Sequence, residues 1–297
     1  MTSPYPGAFE TIFRPGLLAG QAGIVTGGGS GIGRCIAHEM AALGARVALI
    51  GRKMEKLQAV AAEIAAAGGV ATCHSCDIRE EVTVRETVTA VLAGFGRIDY
   101  LVNNAGGQFA APLESISAKG WDTVVRNNLT GGFLMARECY TQSMKAAARA
   151  GGACAIVNII ADMWAGMPSM GHSGAARAGM LNFTETAALE WAPVRVNAVA
   201  PGWIASSGMD HYPPTMAEYL RALPKKVPLG RLGTESEVSA AVVFLLSPAA
   251  AFISGSCLRV DGAVPNAKPA WNGPISNGRT EPFDGFHLAQ LPKVLRD

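Results

Sequence analysis

The chain has 297 residues, 49% of them hydrophobic and 16% charged, with a formal net charge of +2. That length allows one large α/β domain with a sizeable core, and the composition excludes a disordered chain. The near-neutral balance argues against nucleic-acid binding, and no apolar run reaches the ~20 residues that span a bilayer.

The first residues lack a basic start followed by a long apolar stretch, and the six cysteines are scattered as reduced thiols would be, so the expected location is cytoplasmic. From residue 20 to residue 262, short β-branched runs alternate with Ala-rich helical stretches. Strands are predicted at AGIVTGG, RVALIGR, ATCHSCDI, DYLVNNAG, CAIVNII, VRVNAVAPG and CLRVDG. Helices are predicted at 31–44, 54–67, 80–95, 118–149, 172–191 and 235–246. This alternation predicts an α/β fold, a single Rossmann-type doubly wound parallel sheet with helices on both faces. One domain is expected over 18–263, after an N-terminal extension at 1–17. The Pro-rich stretch within 206–226 reads as a substrate lid. Residues 264–297 read as a C-terminal arm, either a surface tail or a strap on a neighbouring subunit. Cys73 and Cys76 form a CxxC without a second pair at metal-finger spacing, so no metal site is expected.

Gly27, Gly31 and Gly33 follow the first strand and open the first helix, the context in which a Gly-rich loop binds a dinucleotide. Glycine lets the backbone approach a pyrophosphate, and the helix N-terminus offers free N–H groups at a positive dipole end. Thr26 and Ser30 add hydroxyls to that loop. The end of the second strand reads Gly51-Arg52-Lys53, where an NAD site places a carboxylate for the ribose. A guanidinium there grips a 2′-phosphate, so NADPH/NADP+ is the expected cofactor.

TGGGSGIG (26–33), Asp77 after the third strand, NNAG (103–106), Asn128 in RNNLTGGF and PGWIASS (201–207) together resemble the short-chain dehydrogenase/reductase family. The resemblance covers about residues 18–262. It implies cofactor contacts from Thr26, Gly27, Ser30, Gly31, Ile32 and Gly33, from Asp77 and Ile78 at the adenine, and from Asn103 through Asn104, Ala105 and Gly106 at the adenosine. Pro201, Gly202, Ile204 and Ser206 fall at the nicotinamide, and Asn128 at the family's active-site Asn, which holds a water. Within the family, PGLLAGQ (15–21), NNAGGQF (103–109), SAKGW (117–121), IVNII (156–160), HSGAARAG (172–179) and LLSPAAAFISG (245–255) resemble the peroxisomal-type trans-2-enoyl-CoA reductases. The 2,4-dienoyl-CoA reductases are also similar, sharing a Ser for the usual Tyr. They carry a Tyr further upstream, where this chain has Asp162, which speaks against dienoyl reduction.

The departures from the family pattern concern the chemistry. Its catalytic Ser falls on Ile160 or Ala161, its Tyr on Ser173 (His172 with a slip of one residue), and its Lys on Arg177. Ketone reduction forms an alkoxide that needs an acid, and a Tyr of pKa about 10 lowered by a Lys suits it. Ser is a far weaker acid and Arg does not give up a proton. Reduction of an activated C=C bond instead places charge on a thioester oxygen as a delocalised enolate, which hydrogen-bond donors can hold. The catalytic set is therefore read as Asn128, Ser173, Arg177 and His172, with Arg177 also fixing the ribose hydroxyls. Carbon is protonated by water or by a movable group such as Tyr212.

Plainer roles stay open for several of these residues. Ser173 is also a candidate helix N-cap, His172 a packing residue and Asp162 a turn former. Tyr212 and Tyr219 also suit packing of the lid, and Arg221, Lys225 and Lys226 suit either coenzyme-A phosphates or solvent. The expected activity is NADPH-dependent reduction of a trans-2-enoyl-CoA. The alternatives are a carbonyl/alcohol oxidoreductase using Arg177 and His172, or a catalytically weak NADP-binding sensor or structural protein. Partners expected are an acyl-CoA-like small molecule, with no nucleic acid and no membrane. The resemblance also implies a homotetramer paired through the helices at 118–149 and 172–191, whose apolar faces are costly to leave in water.

Overall fold

Every strand predicted from the alternation forms, and all join one parallel sheet. In the computed structural model, which describes Gly7 and residues 9–212, 214–266 and 278–296, the strands are β1 (Ala22–Thr26), β2 (Arg46–Gly51), β3 (Val70–Ser75), β4 (Tyr100–Asn103), β5 (Ala155–Ile159), β6 (Arg195–Pro201) and β7 (Cys257–Val260). Their order is β3-β2-β1-β4-β5-β6-β7. β1 lies inside the sheet, with Ile24 opposite Ala48 of β2 and Leu101 of β4. Its AGIVT is buried at every position, which is why the central strands read as continuous apolar runs rather than alternating ones.

The helices are α1 (Gly31–Ala42), α2 (Met54–Ala66), α3 (Glu81–Phe95), α4 (Ala118–Val125), α5 (Gly131–Cys139), α6 (Lys145–Arg149), α7 (Gly171–Glu190), α8 (Ala217–Ala222) and α9 (Glu235–Leu246). The stretch expected as one helix at 118–149 is a single rod interrupted by two π-helical turns, Arg126–Thr130 and Tyr140–Met144. One apolar layer joins α1, α2 and α9 to the sheet through residues such as Ile36, Leu57 and Val242. The other joins α3, α5 and α7 through Val88, Met135 and Ala187. α9 is started by a reciprocal cap, in which Thr234 Oγ1 accepts from Glu237 N–H and Glu237 accepts from Thr234 N–H.

Strand order reverses between β1 and β4, so the loops after these strands diverge and leave a crevice at their C-terminal ends. Gly33 keeps that crevice shaped, since a Cβ there would lie 2.4 Å from both Asn104 Nδ2 and Gly27 O. Gly27 itself has φ +66, in the left-handed region.

The described part of the C-terminal segment, 278–296, lies on the chain's own surface. Phe286 stacks on Phe9 at 5.8 Å between ring centroids, and Glu10 N–H donates to Gly285 O at 2.8 Å. Thr234 Oγ1 donates to Phe283 O at 2.5 Å, tying the arm to the start of α9. Its end turns toward the lid, where Val294 and Leu295 pack with Met209, Leu220 and Leu223. Residues 267–277 of the expected arm lie outside the described residues.

Candidate active site

The residues expected to hold a dinucleotide collect at the C-terminal ends of β1 to β4, with differing duties. Ser30, at the N-cap of α1, is exposed and makes no side-chain cap bond. Ile32 and Gly33 follow in the first turn of α1, with backbone N–H groups at the positive dipole end. Thr26 does not serve as a contact through its hydroxyl. That oxygen donates to Val102 O and accepts from the N–H groups of Asn104 (3.0 Å) and Ala105 (2.9 Å), so it pins β1 to the loop after β4. Asn104 in turn donates from Nδ2 to Thr26 O at 3.0 Å. Asn103, expected along the adenosine, is buried instead and bridges Gly132 O (2.9 Å) and Asn158 Oδ1 (3.0 Å). A polar residue at a strand end was read as a ligand contact where it braces sheet to helix.

Arg52 and Lys53 are exposed beyond β2, with Lys53 at the N-cap of α2. Near them the Asp77 carboxyl is held at about 2, chiefly by the hydrogen bonds of the Arg79 guanidinium. Ile78 is buried against Gly131. Glu235, in the first turn of α9, comes close to Gly31. A Cβ on Gly31 would lie 3.8 Å from its Oε1 and 3.6 Å from Ser207 Oγ. Burial pushes the Glu235 carboxyl up to about 7, opposed by Arg34 and reinforced by Asp284.

Arg177, expected in the catalytic set, is buried beside Gly106 and Asn128. Its side chain, from the second turn of α7, donates from Nη1 to Ile159 O at 2.7 Å. Burial lowers its pKa to about 10, and its Nε has no hydrogen-bond partner among the described residues. A Cβ on Gly106 would lie 2.6 Å from both Arg177 Nη2 and Asn128 Oδ1, so Gly106 admits these groups to one point. Asn128 sits in the first π-turn, which re-aims it inward. Its Nδ2 donates to Gly107 O (2.7 Å) and Val124 O (2.8 Å), and its Oδ1 accepts from Gly107 N–H (3.2 Å).

Ser173 is not a helix cap. α7 starts at Gly171 with Met170 as its N-cap, and the Ser173 hydroxyl donates across the cleft to Gln108 Oε1 at 2.6 Å. His172 is wholly buried, its ring edge-on to Phe109 at 4.5 Å. Its Nδ1 accepts from Ser173 N–H at 2.9 Å, and its Nε2 is without a partner among the described residues. The two walls of the cleft are also joined by Ala111 N–H donating to Ser169 O at 2.8 Å. Asp162 accepts from the backbone of Trp164, two residues on, as a turn former does, and burial with the Asp261 carboxylate raises its pKa.

Pro201 and Gly202 end β6, with Gly202 N–H donating to Val260 O at 2.9 Å. Ile204 packs on Gly233 and Ser206 precedes the first lid turn, Ser207–His211. In the lid, Tyr212 Oη accepts a long hydrogen bond from Gln108 Nε2 at 3.4 Å. Tyr219 is a packing residue, edge-on to Trp203 and under Lys226. Arg221 donates to the tail carbonyls of Val294 (3.0 Å) and Arg296 (3.5 Å).

A sequence profile described as "Enoyl-(Acyl carrier protein) reductase" matches residues 27–264. The chain belongs to the short-chain dehydrogenase/reductase family. It is 35% identical over 250 residues to a probable 2,4-dienoyl-CoA reductase of Bacillus subtilis, covering 82% of this chain and 95% of that one. It is 36% identical over 250 residues to a D-threitol dehydrogenase of Mycolicibacterium smegmatis, covering 82% of this chain and 93% of the relative. A solved citronellol catabolism dehydrogenase of Pseudomonas aeruginosa is 58% identical, with a TM-score of 0.77, over 86% of this chain and 100% of that one. The chain is thus an oxidoreductase of this family. No helix among the described residues is long and apolar enough to cross a membrane.

Gln108 was not singled out in the sequence. It lies in NNAGGQF, but a loop has no periodicity to mark one polar residue above its neighbours.

Proposed function

We propose that the chain is an NADPH-dependent reductase of the C=C bond of a trans-2-enoyl-CoA-like thioester. The observation that carries this reading is Arg177, a buried guanidinium with no carboxylate against it among the described residues, beside Gly106 and Asn128. Burying an unpaired charge is costly, and such groups gather where a ligand supplies the missing partner. The crevice fits a dinucleotide: Gly27 and Gly33 hold their backbone where a Cβ would clash, Ser30 makes no cap bond, and Arg52 and Lys53 suit a 2′-phosphate.

When bound, the nicotinamide supplies a hydride. Arg177 holds the ribose hydroxyls and stabilises negative charge growing on the thioester oxygen. Asn128 holds a water through its place in the π-turn, and Ser173 or Tyr212 donates a hydrogen bond to the same oxygen. Electrostatic holding of this kind suits an enolate, whereas an alkoxide requires an acid that neither Ser173 nor Arg177 provides. The name of the Bacillus relative supports acyl-CoA chemistry.

A second reading is a carbonyl/alcohol oxidoreductase, favoured by the names of the D-threitol and citronellol catabolism dehydrogenases. NADPH oxidation over enoyl-CoA chain lengths, with ketones and secondary alcohols as controls, decides between them. Turnover confined to ketones overturns the first reading.

The assembly we propose is a homotetramer. Trp121 on α4, Phe133 on α5 and Leu189 on α7 are exposed, as are Phe252 and, on edge strand β7, Leu258. Exposed apolar side chains on separate elements suit two kinds of two-fold contact.

A further inference from the structure

Gln108 joins two hydroxyls from opposite sides of the cleft. Buried Ser173 on α7 donates to its Oε1 at 2.6 Å, and its Nε2 donates to Tyr212 Oη in the lid at 3.4 Å. An amide has a donor end and an acceptor end, while each hydroxyl has one hydrogen and lone pairs. In the arrangement seen, the Ser173 hydrogen is taken up and the Tyr212 hydrogen is free. With the amide turned over, Nε2 faces Ser173, which accepts and frees its hydrogen, while Tyr212 donates to Oε1. Each arrangement leaves one hydroxyl hydrogen for a third partner, and each needs the lid to lie over the cleft.

We propose that Gln108 is a positioning residue that ties lid closure to Ser173 and sets which hydroxyl, Ser173 or Tyr212, presents its hydrogen to the substrate's thioester oxygen. The proposal rests on the enoyl-thioester reading for its substrate, but the link between lid and cleft does not. Gln108 touches the reacting atoms through neither of its own groups. Its effect passes through the two hydroxyls, whose hydrogens it orients.

Three variants test it. Gln108→Leu removes both bonds and is expected to lower kcat by about 10- to 100-fold, at the low end of what proton donation contributes, with the Kd for NADPH unchanged. Gln108→Glu separates positioning from packing. A neutral carboxylic acid has one donor and one acceptor, as the amide has, but a carboxylate only accepts. This variant is expected to work at acidic pH and to lose activity as pH rises through the pKa of the new carboxyl, a limb that the parent protein lacks. Hydrogen exchange without substrate supplies a readout independent of the reaction. The amides of α8 exchange faster in Gln108→Leu and in Tyr212→Phe by the same factor, and the double variant adds nothing. Wild-type kcat in Gln108→Leu, or a Gln108→Glu profile that matches the parent, overturns the proposal. If the parent turns over no enoyl thioester, the functional reading fails by itself. Lid exchange then decides the matter, and unchanged exchange in Gln108→Leu overturns the coupling.

Discussion

Arg177 on α7 donates from Nη1 to the carbonyl of Ile159 at 2.7 Å, so a charged helix side chain is fixed to the end of β5 without a counter-ion among the described residues. An uncompensated buried charge costs several kcal/mol, so this contact opposes stability while it serves the site. Arg177→Met keeps most of the volume and drops the charge. The expected outcome is an equal or higher Tm by calorimetry, with kcat reduced about 100-fold or more, as when an oxyanion donor is lost. Turnover within about threefold of the parent contradicts the assigned role.

Cofactor choice is expected to depend on Arg52, exposed just beyond β2. Losing a charge-assisted bidentate contact costs roughly 1.5–3 kcal/mol, or about 10- to 100-fold in Kd. Arg52→Ala is expected to weaken NADPH by that factor and leave NADH unchanged. Equilibrium titration of both cofactors checks it, and an unaltered ratio removes Arg52 from the site.

Cofactor binding is also expected to depend on pH through Glu235. Its folded-state pKa is raised to about 7 by burial, so the neutral form is present below that pH and the carboxylate above it. A carboxylate beside Gly31 repels a pyrophosphate, so the Kd for NADPH rises with pH above about 7, by up to about tenfold per unit. Glu235→Gln keeps the shape and is expected to flatten this dependence. A wild-type Kd constant from pH 6 to 9 would show the carboxyl to be remote from the phosphates.

The lid is expected to lean on the arm. Asp210 Oδ1 accepts from Val294 N–H at 3.2 Å, Arg221 donates to the tail carbonyls, and Leu295 packs into the lid's apolar cluster. Placing a charge there, as in Leu295→Asp, removes part of the roughly 1.5–3 kcal/mol that full burial of a Leu contributes. The expected result is a raised KM for the acyl substrate with the Kd for NADPH unchanged. A variant with parental KM separates arm from lid.

Oligomeric state is read by light scattering. Phe252 is 104% exposed, so Phe252→Glu leaves the subunit's own packing intact. The parent is expected at the mass of a tetramer and the variant at a smaller one. A monomeric parent at micromolar concentration refutes the assembly.

The sheet and its helices were legible because burial on both faces demands unbroken apolar strands, and AGIVT or RVALIG shows that without tertiary information. The crevice was legible too, since Gly27 and Gly33 are dictated by local backbone approach. What was misread depends on distant partners. Thr26 and Asn103 are polar residues at strand ends whose hydrogen bonds go to β4, β5 and α5, and nothing in their own segments says so. Arg221 is a similar case, its partners lying 73 and 75 residues further along the chain. The arm has no periodicity because it is held by isolated anchors, Phe283 and Phe286, rather than by a repeating face.

Ala165 and Ser169, at φ 69 and 63, hold the loop after β5 in left-handed backbone, and Ser169 O accepts from Ala111 N–H at 2.8 Å. Non-glycine residues in that conformation cost of order 1–3 kcal/mol each and persist only where surroundings enforce them. The facing loop, through Ala111, is part of that enforcement. Changes of acyl specificity in such a protein are therefore not free to accumulate one wall at a time. A substitution on 107–113 alters the conformation available to 163–170, so its effect on substrate choice depends on which residues stand opposite. Laboratory evolution toward new substrates is expected to advance through paired changes across the cleft, and single-wall libraries to return variants that fold but select poorly.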